Sequence, residues 1–596
     1  MKKLLIKSLL TGCLTVFAVG MQVSCSDDWN EHFDSKIEGD YFDGSLMKRI
    51  ESIPELSDFA EVLRATGYDK QLEKNQVLTI LAPKNNTFDK EKLLDMVKNG
   101  QKQKVITEFL ENHISRYNQS MDNEKHSIMM LNDKFMDMQT REVATIEDIN
   151  VSQMNMACKN GVIHVLESAI PYAYNIYELL AEDYEAQKTP TFDDEWESFY
   201  KYVYKMQTKT LDEAHSIAYG ISQETGENIW VDSVVIENNK VLQPLDAYIY
   251  REDSTYLTIF PSLEAYKNRV EGIKSLFNYS VTFNPEQEYR DSLQRFWANY
   301  YAMCDLTYNL HMNNMTDPES HIYDNGQPVD TLFSTAYSRG DWPYHVYRAP
   351  FGRSGILSYY KEIVKCSNGY VYKMEYYPFT VFDNVFKKIT LQGENFGAVY
   401  MGKDNTKPNP VPYTNTSTTV ITPVYVQADT ISGTGYMHVV PSSTSRNTEI
   451  AYLIPNTLSG SYDIYVKFLP LNVYNESATK LPLQFRASIY ERQANGDFPN
   501  EAKPQVQFLN PADGKVNFQT NPDYVDSLYI GTYKFDYCYQ GTQQGAMLKL
   551  ESYVLTSQAK RFTKEMLIDK IILIPNQREH DYDGAYIVEA QQSKKR

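Results

Sequence analysis

The sequence predicts a multidomain protein, α+β over its first two thirds and all-β over its last third. Three observations carry that prediction. A Cys, an Asn-Gly pair and a short apolar strand occur twice, as CKNGVIHV (158–165) and CSNGYVYK (366–373), 208 residues apart. Amphipathic, helix-like segments precede the copies. From about residue 392, helical periodicity gives way to short alternating runs.

Asn-Gly between apolar runs marks a tight turn, because both residues tolerate positive φ. Residues 162–166 and 370–374 then have strand composition, and Pro171 and Pro378 close the two regions. Upstream, VLTILAPKNNTFDK (77–90) and YLTIFPSLEAYKN (256–268) share Leu-Thr-Ile, a nearby Pro and an aromatic that opens a helical segment. Leu78 lies 80 residues before Cys158, whereas Leu257 lies 109 before Cys366. The second copy therefore carries 29 extra residues, placed most simply in the polar stretch NNMTDPESHIYDNGQPVD (313–330).

Between these motifs, IPELSDFAEVLRATGYDKQL (53–72) puts Leu56, Phe59, Ala60 and Leu63 on one helical face. Ser52 with Glu55 reads as a capping box, and VITEFLENHI (105–114) repeats the amphipathic spacing. FDDEWESFYKYVYKM (192–206) carries Trp196, Tyr200 and Tyr204 at i, i+4 and i+8, a core stripe on a helix expected to open the second domain.

The paired motifs resemble the fasciclin (FAS1) domain. Its first signature, T-x-F-A-P-T-N-x-A-F, is met by Thr79, Ala82, Pro83, Asn85 and Phe88, with Leu81, Lys84 and Thr87 as departures. Its second, N-G-V-I-H-V-I-D, is met by Asn160, Gly161, Val162, Ile163, His164 and Val165, and Asn112-His113-Ile114 resembles the family's N-H-[IV] helix end. In the second copy Tyr372 replaces the His, and the first signature shrinks to Thr258, Pro261 and Tyr266. The resemblance implies two tandem fasciclin-like α+β domains, over 44–176 and 177–391. Cys158 and Cys366 then sit at the same place in separate domains, as small packed hydrophobes rather than a disulfide.

The last third reads as a jelly-roll-type β-sandwich over 392–578, followed by a polar tail, 579–596. SGSYDIYVKFLP (459–470) alternates Tyr462, Ile464, Val466 and Phe468 on one face, and several similar runs follow, one of them ending in an Asn-Gly turn (495–496). The order G-x-Y-x-I-Y-V, Y-I-G-T-Y-K-F, D-K-I-I-L-I-P resembles the galactose-binding-like sandwiches of carbohydrate-binding modules. Such modules hold sugars on loop aromatics, which makes Tyr474, Tyr490 and Tyr537 candidates, although Tyr on a half-buried sheet is usually packing.

The N-terminus reads as an export signal (1–24): MKKLLIKSLLTGCLTVFAVGMQVSC has a basic start, an apolar stretch and Cys25 after small residues. Val23-Ser24-Cys25 resembles a lipobox with Gln22 in place of the usual Leu, and Cys13 in LTGC competes with it. The acidic tether SDDWNEHFDSK that follows (within 25–43) resembles the surface-export signal of Bacteroidota-type lipoproteins. Lipidation at Cys25 would hold the protein on the outer membrane, facing outward, with the membrane as its first partner.

Composition excludes several classes. The chain has 596 residues and a formal charge of −19, which becomes −22 without the three lysines of the leader. So acidic a protein repels phosphate backbones, and no nucleic-acid partner is expected. After Cys25 only Cys158, Cys304, Cys366 and Cys538 remain, with no CxxC and no disulfide framework. HDYDG (580–584) starts a calcium loop without finishing it, GRSG (352–355) is not a nucleophile elbow, and among 77 acidic residues no glycosidase pair can be singled out. No catalytic residue, metal ligand or cofactor is therefore nominated.

The resemblance implies a non-catalytic binding or adhesion lipoprotein. It would be an accessory of a SusC/SusD-like uptake system, with a transporter, a SusD-like lipoprotein or an extracellular glycan or peptide as partner. Two alternatives stand beside it. One is a surface glycan-processing enzyme with its site between domains, resting on the surplus and on Trp342 in RGDWPYHVYR (339–348). The other is a structural spacer. The candidate ligand contacts are Trp342, Tyr344, Tyr474 and Tyr490.

Overall fold

A computed structural model describes residues 41–576 apart from 75, 123, 141–142, 188–206, 212, 214–216, 222–227, 233–234, 312–314, 318–321, 324–330, 337–344, 353, 404–411, 474–475, 494, 500–502 and 543–544. The leader with Cys25, most of the tether, the aromatic segment 192–206 and the tail 579–596 thus lie outside the described residues. The chain divides into two compact units, Met1–Tyr174 and Asn175–Arg596. Among the described residues no helix is long and apolar enough to cross a membrane.

In the first unit the strand Leu78–Pro83 pairs in parallel with Gly161–Leu166, and all twelve residues are buried. A parallel pair covered on both faces calls for continuous apolar runs, which is what LTILAP and GVIHVL supply. Ile114–Arg116 flanks the pair on one side and Ile149–Cys158 on the other, both antiparallel. Three short strands, His126–Met129, Phe135–Gln139 and Thr145–Ile146, extend the sheet.

Helices cover this sheet. Ser57–Thr66 buries Phe59, Ala60, Val62 and Leu63, and it ends at Gly67 with φ 72°, where Tyr68 N–H closes onto Leu63 O. Leu56, from the expected stripe, is buried in the short 3₁₀ turn Pro54–Leu56 just before it. The expected capping box at Ser52 is not formed. Ser52 ends the preceding helix, Leu46–Ser52, and donates back to Arg49 O; that helix is capped by Ser45. Pro54, which cannot continue a helix, separates the two. The expected helix at 105–114 is a mixture: Lys102–Val105 is α-helical, Ile106–Leu110 widens into a π turn and Glu111–His113 tightens into a 3₁₀ turn.

The second fasciclin-like module repeats the order and sense of the four core strands. Tyr256–Pro261 runs parallel to Gly369–Met374, flanked antiparallel by Thr307–Asn309 and Glu362–Cys366. The register repeats as well: Leu78 faces Gly161, and Tyr256 faces Gly369. Cys158 and Cys366, both buried, pair with those same glycines across the turn.

The turn asparagines show why the motif recurs. Asn160 Oδ1 accepts from Leu46 N (2.8 Å), and its Nδ2 donates to Leu72 O (2.8 Å) and Lys74 O (2.9 Å). Asn368 Oδ1 accepts from Ile176 N (2.9 Å), and its Nδ2 donates to Ile249 O (2.8 Å) and Arg251 O (2.9 Å). Each amide satisfies one orphan helix N–H and donates to two further backbone carbonyls, bonds worth about 1 kcal/mol apiece. The contact made by Asn368 marks a helix at the expected domain start, ahead of the segment 192–206 that was expected to open the module and that lies outside the described residues. That helix is Ile176–Gln187, whose Ile176, Leu180 and Tyr184 are buried. Between Leu257 and Cys366, where the surplus lies, two short hairpins are described, Met315–Asp317 with Ile322–Tyr323 and Thr331–Phe333 with Val346–Arg348; two more, Gln207–Leu211 with Val235–Asn239 and Ile217–Ile221 with Asn228–Asp232, lie ahead of it.

The sandwich starts slightly before residue 392, with the strand Ile389–Gln392 on the edge of Met566–Pro575. One sheet orders Thr419–Tyr425, Gly435–Pro441, Met566–Pro575, Gly460–Phe468 and Asp526–Phe535; the other orders Glu449–Ile454, Ala546–Ser552 and Gln484–Tyr490, with Val506–Gln507 and Phe518–Gln519 on the latter's edge. Tyr462, Ile464, Val466 and Phe468 all point into the core, as their alternation predicts.

A single apolar core runs through the second module and the sandwich. Phe386 meets Tyr462 edge to face at 4.7 Å. Cys538 N donates to Asn278 O (2.7 Å), and Tyr279 OH to Gln540 O (2.9 Å). Gly541, at φ 70°, lies so close under Trp297 that a Cβ would come within 2.4 Å of the ring. The two are one folded body, and burial in it pushes the Cys538 thiol up to about 12.

Candidate functional site

The first module carries a groove of about 630 Å³ beside the helix Lys90–Lys98. That helix starts at Asp89, whose carboxylate accepts from Lys92 N (3.0 Å), and none of its residues is fully buried. Leu93 and Met96 therefore keep part of their apolar surface open to the groove. Phe88 and Phe109, 4.8 Å apart, form the floor. The far wall is the segment after the strand Gly161–Leu166. Asn112 Nδ2 donates to Ile170 O (3.2 Å), and Ile170 N donates to His113 Nε2 (2.9 Å). That clamp presents Tyr172 and Tyr174, set edge to face at 5.2 Å, with Lys134 Nζ 4.8 Å over the Tyr172 ring. The Lys104–Glu108 ion pair (3.5 Å) sits on the rim. An apolar floor inside a polar rim can exclude water from an apolar group while leaving the surface soluble.

The Asn-His pair of the helix end is thus a fastener. His113 Nδ1–H donates to Phe109 O (2.7 Å) while Nε2 accepts from Ile170. His164 Nε2–H donates to Gln119 O (2.9 Å), and its Nδ1 accepts from Asn155 N (3.3 Å). Each ring uses one nitrogen as donor and one as acceptor, the pattern of a neutral imidazole. Burial pushes both down to about 4.

The second module carries a different constellation at the equivalent place. Thr307 stands where the first module has Ile114, by register with the parallel pair, so Asp305 occupies the position of Asn112. Its buried carboxylate accepts from Ser334 Oγ (2.5 Å), His345 Nδ1 (2.6 Å) and Tyr347 OH (2.5 Å). Lys387 Nζ donates to the other nitrogen, His345 Nε2 (3.1 Å). Asp305 and His345 both have left-handed backbones, φ 70° and 67°. Burial first, then the Asp305 charge, pushes the Tyr347 phenol well above its ordinary range. His345 and Tyr347 wall a second cavity of about 280 Å³.

Of the residues nominated from sequence, Cys25, Trp342, Tyr344 and Tyr474 lie outside the described residues. Tyr490 is corrected. It points away from the main sandwich core, as strand alternation dictates, yet only 3% of it is exposed. A second small core covers that face: Tyr413 lies edge-on to Tyr490 at 5.6 Å, Phe498 joins it, and Tyr413 OH donates to Pro499 O. Packing already occupies the ring that was offered to a sugar. Tyr537 keeps 37% of its surface exposed. Sequence reasoning missed Asp305, Ser334 and Lys387. The Leu-Thr-Ile repeat is one residue out of the structural register, in which Leu78 corresponds to Tyr256, so only the strand pairing sets Asp305 against Asn112; His345 and Tyr347 belong to the aromatic segment 339–348.

Residues 54–171 match the family model described as Fasciclin domain. No curated protein sequence matches the chain. Among solved structures, a FAS1 domain pair from the insect cell adhesion molecule fasciclin I is similar at 12% identity over 56% of this chain and 99% of that one, with a TM-score of 0.20. A CBM35 module from Cellvibrio japonicus Abf62 is similar at 10% identity over 32% of this chain and 95% of that one, TM-score 0.15. A Paenibacillus xanthan lyase is similar at 12% identity over 30% of this chain but only 13% of its own length, TM-score 0.17. The fold itself is defined by the signatures and strand orders above: two tandem fasciclin-like modules and a β-sandwich.

Proposed function

We propose that the protein is a lipid-anchored surface lipoprotein, attached through Cys25, whose fasciclin modules bind and do not catalyse. It would serve as an accessory of an outer-membrane nutrient uptake system of the SusC/SusD type. The observation that carries the binding half is the open groove on the module that matches the fasciclin family, with its apolar floor, aromatic wall and charged rim. The lipobox-like Cys25 and the acidic stretch behind it support surface attachment.

A surface glycan-processing enzyme is the second reading, and one observation favours it: the buried Asp305–His345 pair has the orientation that prepares an imidazole for acid–base work. Against it, His345 Nε2 is already engaged by Lys387. Purification of the full-length lipidated protein from detergent-solubilised outer membrane tests the first reading. A transporter or SusD-like lipoprotein is expected to co-purify, and recovery of neither, with the anchor intact, removes the uptake-system role.

A further inference from the structure

We propose that the cavity walled by the second module's inserted hairpin is a carbohydrate subsite holding one pyranose ring. The proposal rests on the reading of the protein as a surface binding module and names its ligand class. At about 280 Å³ the cavity lies below the roughly 300–1,000 Å³ of drug-sized sites, room for a single ring rather than a chain.

A pyranose presents apolar C–H faces and a rim of hydroxyls that both donate and accept. The lining answers both needs. Phe382, Ile356 and Val346 give an apolar wall, the Arg348 guanidinium and Ser354 hydroxyl donate, and the Asp383 carboxylate accepts. Arg348 makes no ion pair among the described residues. Asp383 Oδ2 is held in place by Thr380 N (2.7 Å) and Thr380 Oγ1 (2.8 Å).

Two further observations point to a ligand rather than to packing. The wall residues His345 and Tyr347 are both fixed to the buried Asp305, so the cavity is pre-shaped. In the first module the same position is the neutral Asn112, bonded to Ile170 O and Asn132. The charged network, with its desolvation cost and two left-handed backbones, is built where the insertion is.

Titration calorimetry of the full-length protein with D-galactose, D-glucose and D-glucuronate, each as a separate probe, tests the subsite. Saturable binding of at least one sugar in the millimolar range is expected. Arg348→Ala should weaken it at least tenfold and Ser354→Ala several-fold, with unchanged circular dichroism; Tyr537→Ala, on the sandwich, should leave it intact. A preference for glucuronate over glucose that disappears in Arg348→Ala supports the assignment. It is overturned if none of the three sugars binds, if Arg348→Ala binds like the parent, or if Tyr537→Ala abolishes binding. Failure of the titration alongside successful co-purification of a transporter would remove this subsite and leave the uptake role standing.

Discussion

In the first fasciclin module, Asn160 ties the turn to the opening helix, and Asn112 with His113 clamps the segment beyond the sheet. In the second, Asn368 makes the same three bonds as Asn160, but Asp305 and Leu306 stand where Asn112 and His113 do, and Tyr372 stands for His164. The turn asparagine repeats because the turn sets its amide beside the same three backbone groups in both modules, the first N–H of a helix and two carbonyls. The clamp varies because any well-satisfied polar group can do its work. The two modules also differ in company. The first is a unit of its own, whereas the second shares its core with the sandwich through Phe386, Tyr279 and Trp297.

The largest expected effect comes from the turn glycines. A Cβ on Gly161 would lie 1.9 Å from Leu78 O, and one on Gly369 would lie 1.9 Å from Tyr256 O. Gly161→Ala and Gly369→Ala should each cost about 3–5 kcal/mol. Gly161→Ala should unfold residues 41–174 alone, while Gly369→Ala should lower the second module and the sandwich together. Urea unfolding followed by limited proteolysis separates the two outcomes.

A smaller effect sharpens the contrast through pH. His113 and His164 have folded values near 4 against an ordinary 6.5, so the unfolded chain takes up protons first as pH falls. Their contribution is present in full above 6.5 and is lost as pH drops towards 4, up to about 3 kcal/mol per ring. In the sandwich the sign reverses. Burial pushes the Glu491 carboxyl up to about 7 from 4.5, against the pull of its Tyr533 hydrogen bond and with help from Asp536. The folded state then holds the proton more tightly, and stability present below 4.5 is lost as pH rises through 7, on the order of 2 kcal/mol. Denaturation midpoints of the two units across this range should move in opposite directions, and Glu491→Gln should flatten the second.

The first module was legible because a doubly buried parallel pair leaves unbroken apolar runs, and Asn-Gly fixes the turn between them. The opening helix of the second module was legible in principle, since Ile176, Leu180 and Tyr184 recur at i, i+4 and i+8, but the longer aromatic run at 192–206 drew the assignment away. The capping box failed because Pro54 stops one helix and starts another, which turns Ser52 from a cap into a last residue. Tyr490 shows a limit of local pattern: alternation correctly sends it outward, yet residues 413 and 498, remote in sequence, cover it. The Asp305 network draws on positions 334, 345 and 387, which only the fold brings together.

Native-state hydrogen exchange with increasing urea addresses the two-unit organisation most directly. Amides of the strands Leu78–Pro83 and Gly161–Leu166 should open in one cooperative step, and those of Gly369–Met374 and Gly460–Phe468 should share a second step with a common free energy. Opening of Gly369–Met374 together with Gly161–Leu166, or independently of the sandwich strand, would contradict a welded second module.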